Sequence, residues 1–358
     1  MISQQEAQLI KRIVLFKARL NVWCLYHLLP VLFTLISQNL HLPPTYMASI
    51  SKSTASPQFF VSGPLQIPRI TKKFKIGICQ LKVTTEKSAN IFDARNMIEA
   101  AAEQGASLIL LPEMWNCPYS TDLFAKFAED FNDIESSPSL VMLSEVAASL
   151  GVTIIGGSIP EKDAGQLYNT CSVFGPNGEL KAKHRKIHLF DMGKPLPGEV
   201  QFKESNIISA GEKPTIVDTD FGRIGIGICH DIRFPELAMS YSARGARLIC
   251  YPGAFNMSTG AALWELEQRT RAVDNQLYVA SCSPSRDSAS SYMIWGHSTV
   301  VGPMGEIIAT TGHEEAVLIA EIDYAAIQQT RESLPLESQR RNDIYQFVDL
   351  LGESPTRF

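Results

Sequence analysis

Apolar and polar positions change period several times along this chain, and each change marks an element. Residues 74–80, FKIGICQ, form a short apolar run suited to a buried strand. Ala94, Met97, Ile98 and Ala101 then recur at helical spacing, and Gly105 stands where a helix C-cap falls. SLILLPE (107–113) is a second buried strand, ending on a carboxylate. A helix is predicted around 138–150, followed by strands near 152–158 (VTIIGGS) and 168–174 (YNTCSVF). Pro176, Asn177 and Gly178 make a turn into a strand that ends at Lys186, and Gly and Pro make 191–200 a loop.

The stretch GRIGIGICHDIRFPEL (222–237) reads as strand, sharp turn and helix. The series repeats with ARLICYPGAF (246–255), a helix at 260–275 and LYVASCS (277–283). Strands joined by short turns then follow at 292–301, 305–310 and 317–322. Strands that alternate with helices and later run as hairpins predict an α/β fold with a mixed sheet. No internal repeat, no linker after residue 74 and no GxGxxG fingerprint is visible.

Charge divides the chain in two. Residues 1–85 hold ten Lys and Arg against the single acidic Glu6, whereas 86–358 hold 36 acidic and 22 basic residues. The net charge of −5 thus conceals a basic leader (1–73) on an acidic body (74–358), long enough for one large α/β domain. An acidic body lacks the basic surface that phosphate binding needs, so no nucleic-acid partner is expected. Within the leader, residues 20–36 are apolar but interrupted by Asn21, His27 and Pro30. Their 17 residues sit at the lower limit for a membrane span, so membrane association is expected only if this stretch is retained as an anchor. A second segment begins at Met47, rich in Ser and Thr and without Asp or Glu, which is the composition of a plastid transit peptide. Met47 is then the working start and 1–46 an upstream extension; a mitochondrial or cytoplasmic address, or a tail with no address, are the alternatives.

Seven cysteines, at 24, 79, 117, 171, 229, 250 and 282, are scattered through apolar runs with no CxxC or Cys/His cluster of metal-ligand spacing. Free thiols in a reducing compartment fit this pattern, with Cys79, Cys171, Cys250 and Cys282 as small buried hydrophobes. Three polar residues end apolar strands: Glu113 in LILLPEMWNCPY, Lys186 in KAKHRKIHLF and Cys229 in GIGICHDIRFPEL. Strand ends of a helix-flanked sheet open onto a cleft, and a nucleophile between strand and helix is favoured as a thiolate by the helix amides. A carboxylate to take the thiol proton and an ammonium to hold a carbonyl oxyanion would complete a set able to cleave amides. Singly, each residue also fits a solvated turn, a surface lysine or a core cysteine.

With these blocks in this order, the sequence resembles the nitrilase superfamily, in particular its Nit2-like ω-amidase branch. The likeness continues through YPGAFNMSTGAALWELEQRTRAVDNQLYVASCSPSRD and YMIWGHSTVVGPMGEIIA, covering roughly residues 74–345. It implies a four-layer αββα sandwich of two six-stranded sheets, paired as a homodimer or larger. By the same resemblance Glu113 is the general base, Cys229 the nucleophile and Lys186 an oxyanion stabiliser, with the His230 N–H as second donor. Glu204 matches a second family glutamate that orients Lys186, although the loop 191–203 is about two residues longer than the family pattern. Tyr119, Gly253, Ala254, Phe255 and Asn256 fall where the family lines its pocket. His230 departs from the usual Tyr. The remaining histidines lack metal spacing; His184 and His188 frame the lysine strand and His297 is structural.

The resemblance implies an amidohydrolase without cofactor or metal, acting on small ω-amides such as 2-oxoglutaramate and 2-oxosuccinamate. Rival readings are a deaminated-glutathione amidase, an N-carbamoyl-amine hydrolase or an inactive scaffold. Tyr119 and Phe255 would favour four- and five-carbon substrates, and a cation for the substrate carboxylate, Arg233 or Arg286, stays open.

Overall fold

The computed structural model describes residues 72–193, 202–288, 290 and 292–351, so the leader, including 20–36 and the segment from Met47, lies outside the described residues. Among the described residues, twelve strands form two six-stranded sheets. The first has the order β12-β1-β2-β3-β4-β5, with β1 Lys73–Gln80, β2 Leu108–Leu110, β3 Thr153–Asp163, β4 Gln166–Phe174, β5 Leu180–Arg185 and β12 Ala316–Asp323. The second has the order β6-β7-β8-β9-β10-β11, with β6 Thr215–Thr219, β7 Gly222–Ile226, β8 Leu248–Pro252, β9 Tyr278–Cys282, β10 Thr299–Val301 and β11 Ile307–Thr310. Read in these directions, both sheets pair antiparallel, parallel, parallel, antiparallel, antiparallel. The two sheets therefore share one pairing pattern, the first taking its edge strand β12 from the far end of the described residues, although no repeat is visible in the sequence.

Alternation along the strands explains the layering. Ile76 and Ile78 of β1, with Leu108 and Leu110 of β2, join one core with Ile224, Ile226, Leu248 and Cys250 of the second sheet. Their neighbours Cys79, Ile109 and Leu111 point the other way, into a core with Ala94, Ile98 and Ala101 of α1 (Lys87–Glu103) and Leu143, Val146 and Ala147 of α3 (Pro138–Leu150). On the second sheet, Tyr241 of α4 (Pro235–Ala243) and Trp264 and Ala272 of α5 (Met257–Asn275) pack with the strands. The result is the four-layer sandwich that the resemblance implies. At ~25 cal/mol per Å2 of apolar surface removed from water, filling both faces of each sheet supplies the dominant stabilising term.

Several boundaries differ from the sequence expectation. β2 stops at Leu110, and Pro112, which has no N–H to give a ladder, precedes Glu113. β3 runs on to Asp163 through an irregularity between Ile155 and Ser158, where Gly157 has φ 59°. The strand expected at 292–301 contracts to Thr299–Val301, because Gly296 and His297 take positive φ and break the extended run. Strand β6 and helices α2 (Thr121–Phe127) and α6 (Tyr324–Ser333) were not anticipated. No helix of the described residues is long and apolar enough to cross a membrane.

Candidate active site

Glu113 lies three residues past β2, Lys186 directly follows β5, and Cys229 lies three residues past β7. The first two leave the first sheet and the third leaves the second, so the packed sandwich brings them together. Lys186 Nζ is 2.9 Å from Glu113 Oε1 and 2.9 Å from Glu204 Oε1, with all three side chains fully buried. The Tyr119 hydroxyl sits 3.0 Å from Glu204 Oε1 and 3.4 Å from Glu113 Oε1. Glu204 opens a single 3-10 turn, Glu204–Asn206, and its Oε2 accepts from the Phe190 N–H at 2.7 Å. The longer loop before it has therefore not displaced Glu204 from the site.

Sequence reasoning missed Asn169. Its Nδ2 donates to Glu113 Oε1 at 2.8 Å. The one signal available for it is an Asn in the strand YNTCSVF, since a buried amide needs a partner. Glu113 Oε1 thus gathers Lys186, Asn169 and Tyr119, while Oε2 is buried without a hydrogen-bond partner. A carboxylate oxygen in that setting is able to accept a proton.

Cys229 has φ 48°, a left-handed conformation that a residue with a Cβ rarely adopts and that surrounding contacts must hold. It starts a 3-10 turn, Cys229–Arg233, ahead of α4, so the sharp turn predicted between strand and helix is present. The turn fits only because Gly227 has no side chain, as a Cβ there would lie 2.5 Å from Cε1 of the buried Tyr251. Burial and the charge of Glu113 push the Cys229 thiol well above its ordinary value; Lys186 and a hydrogen bond from the Ala254 backbone act the other way. The thiol is therefore protonated at neutral pH. Burial also works against the Lys186 ammonium, but the carboxylates of Glu113 and Glu204 outweigh it and keep the lysine charged. Burial raises Glu204 despite the pull of Lys186. Tyr119 is raised well above its usual value by burial and by both carboxylates, so it remains a neutral donor.

The other expected pocket residues divide. Tyr119 stacks on Tyr292 at 4.6 Å and on Phe202 at 5.3 Å, forming an aromatic wall. Gly253 comes close to Cys229, as a Cβ added there would lie 3.6 Å from Cys229 Cα. Phe255 is buried edge-on to Trp264 at 5.2 Å with the Arg233 guanidinium 5.6 Å over its ring. The Asn256 side-chain oxygen caps α5, accepting from the Thr259 N–H at 2.9 Å and from its hydroxyl at 2.6 Å. His230 is half-buried between Phe190 and Phe234, at 5.3 and 5.6 Å. Burial, with the positive charges of Lys186 and Arg233, lowers it to about 4, so its ring is neutral at neutral pH. The six cysteines among the described residues are free and buried.

A thiol on a strained turn, a buried carboxylate and an ammonium held between two carboxylates thus meet in one site. Residues 75–332 match the carbon-nitrogen hydrolase family, and the chain belongs to it, within the nitrilase superfamily. It is 63% identical over 288 residues to the chloroplastic omega-amidase of Arabidopsis thaliana, covering 80% of this chain and 77% of that protein. With omega-amidase NIT2 of Homo sapiens it shares 49% identity over 272 residues, 76% of this chain and 96% of the human protein. Among solved structures, Saccharomyces cerevisiae Nit3 aligns with a TM-score of 0.70 and 44% identity, covering 75% of this chain and 97% of that one.

Proposed function

We propose that this protein is an ω-amidase that hydrolyses 2-oxoglutaramate and 2-oxosuccinamate to the 2-oxo dicarboxylates and ammonia. The observation that carries the reading is the closed Glu113–Lys186–Glu204–Tyr119 network beside Cys229, together with the relatives' shared description. Glu113 Oε2 takes the Cys229 proton as the sulfur attacks the amide carbon. Lys186 and the His230 N–H stabilise the oxyanion, and such donors are worth ~3–4 kcal/mol each in other enzymes. Glu113 then passes its proton to the leaving nitrogen, ammonia departs and a thioester remains. Water attacks that thioester, giving a proton to Glu113; the carboxylate product leaves and the proton returns to sulfur.

The substrate's far carboxylate needs a cation besides Lys186. Arg286 is committed to backbone carbonyls, its Nε 3.3 Å from the Ile294 oxygen and its Nη2 2.8 Å from the Trp295 oxygen. Arg233 lies over Phe255, pairs with Glu267 at 3.3 Å and keeps a buried Nε without a partner. Arg233 is therefore our choice of carboxylate-binding residue, with Tyr119 and Phe255 limiting substrate length.

The discriminating experiment compares kcat/KM for 2-oxoglutaramate, glutamine, deaminated glutathione and N-carbamoylputrescine on one preparation. A preference for 2-oxoglutaramate of at least about tenfold, ~1.4 kcal/mol in transition-state binding, is expected. A smaller preference overturns the ω-amidase reading and leaves the amidohydrolase class standing. We also propose a homodimer, to be checked by light scattering, and a plastid location conferred by the leader.

A further inference from the structure

Cys229 and Lys186 hang from different sheets, so no single hydrogen-bonded ladder fixes the distance between them. Something must cross the gap. Asp231, two residues past the nucleophile and fully buried, does so. Its Oδ2 accepts from the Ile228 N–H at 2.9 Å, which closes the turn around Cys229, and contacts His184 Nε2 at 3.1 Å. Its Oδ1 accepts from the His188 N–H at 2.9 Å and contacts His188 Nδ1 at 2.7 Å.

His184 and His188 lie two residues before and two after Lys186. His184, itself fully buried, places Nδ1 3.0 Å from Thr215 Oγ1 on β6. The His188 ring stacks on Phe234 at 3.7 Å, on the far side of the nucleophile turn. The backbone of Lys186 is held in turn by the Asn169 carbonyl at 2.8 Å, and the side chain of Asn169 holds Glu113. A continuous chain of contacts thus runs from the strained turn to the lysine and on to the base. Burial opposes the charge on Asp231, but the hydrogen bonds from His184 and His188 outweigh it and hold the carboxyl well below the usual carboxylate range. The ionised carboxylate then requires a proton on Nε2 of His184 and on Nδ1 of His188.

We propose that Asp231 is a positioning residue that sets Cys229 against Lys186 by gripping both histidines that flank the lysine; this rests on the amidohydrolase reading of the site. Asparagine cannot replace it. Four donors converge on two carboxylate oxygens, and an amide would turn its NH2 towards two of them.

Asp231→Asn should lower kcat about 100-fold with KM changed less than about threefold. Alkylation of Cys229 by iodoacetamide, followed by peptide mass, should slow at least about tenfold. His188→Leu should lower kcat in the same way, whereas His188→Asn, which can offer a side-chain N–H in place of Nδ1, should recover most of it. The double variant Asp231→Asn/His188→Leu should be no slower than the slower single variant by more than about twofold. If folded variants keep kcat within threefold, lose activity through KM, or multiply their defects in the double, the proposal is overturned. Failure of His188→Asn to exceed His188→Leu also overturns it, and this pair decides the matter if Asp231→Asn does not fold. Loss of the amidase reading would show separately, as wild-type protein that releases no ammonia from any amide while its Cys229 still reports on the clamp by alkylation.

Discussion

Replacing Lys186 by Met would leave the carboxylates of Glu113 and Glu204 in a closed site without their shared cation. Both ion pairs are 2.9 Å long and wholly buried, so water cannot take the place of the ammonium. Breaking a buried pair from one side costs ~3–5 kcal/mol, a large share of the ~5–15 kcal/mol that stabilises a domain. At ~2–4 °C per kcal/mol for a domain approaching this size, Tm should fall by about 10 °C at neutral pH. The deficit should also depend on pH. Burial already raises Glu204 against the pull of Lys186, and removing the lysine raises it further. A carboxyl whose folded pKa exceeds its unfolded value of ~4.3 stabilises fully below that value and loses the contribution as pH rises through the folded pKa. Urea unfolding of variant and wild type should therefore show a small difference near pH 5 and the full one at pH 8. Adding Glu204→Gln should recover at least half of the loss at pH 8, since one buried charge is gone. An equal deficit at both pH values, or no recovery in the double variant, would refute the electrostatic account.

Glu113→Gln removes the vacant oxygen as a base, and intact-mass analysis with 2-oxoglutaramate should show no thioester and a kcat at least about 100-fold lower, within the range for lost general base catalysis. Gly227→Ala drives a Cβ to 2.5 Å from Tyr251, so overpacking of ~1–3 kcal/mol is expected by denaturation, with a kcat loss larger than the unfolded fraction explains. Because burial and neighbouring cations lower His230 to about 4, it does not titrate between pH 6 and 8, and His230→Tyr should leave the kcat/KM profile in that range unchanged in shape. A fluorescent fusion of residues 47–75 should enter plastids; a cytosolic or plasma-membrane signal would refute that address.

Much of this protein is legible along the chain. The apolar runs at 74–80, 107–113 and 222–228 mark strands because burial on both faces leaves few polar positions, and the polar residues at or just past their ends stand out for that reason. Glu113, Lys186, Glu204 and Cys229 were named from such places and from family motifs, and the structure draws them into one network. Strand β6, TIVDT, is not legible because only Val217 of its five residues is buried, too little pattern to mark a strand. The cap that the Asn256 oxygen makes to the Thr259 N–H is not marked by any pattern in the sequence.

The remaining decisions belong to the tertiary structure. Periodicity reports which face of an element is buried, but not which other face buries it, so one mixed sheet and two packed sheets are alike along the chain. Asn169 meets Glu113 across 56 positions, and Asp231 meets His184 across 47. Only packing commits Arg286 to the carbonyls of Ile294 and Trp295. Local sequence sets φ, ψ and the side of the sheet, whereas hydrogen bonds and ion pairs need distances near 3 Å, which for distant residues arise only when the two sheets close on a common core.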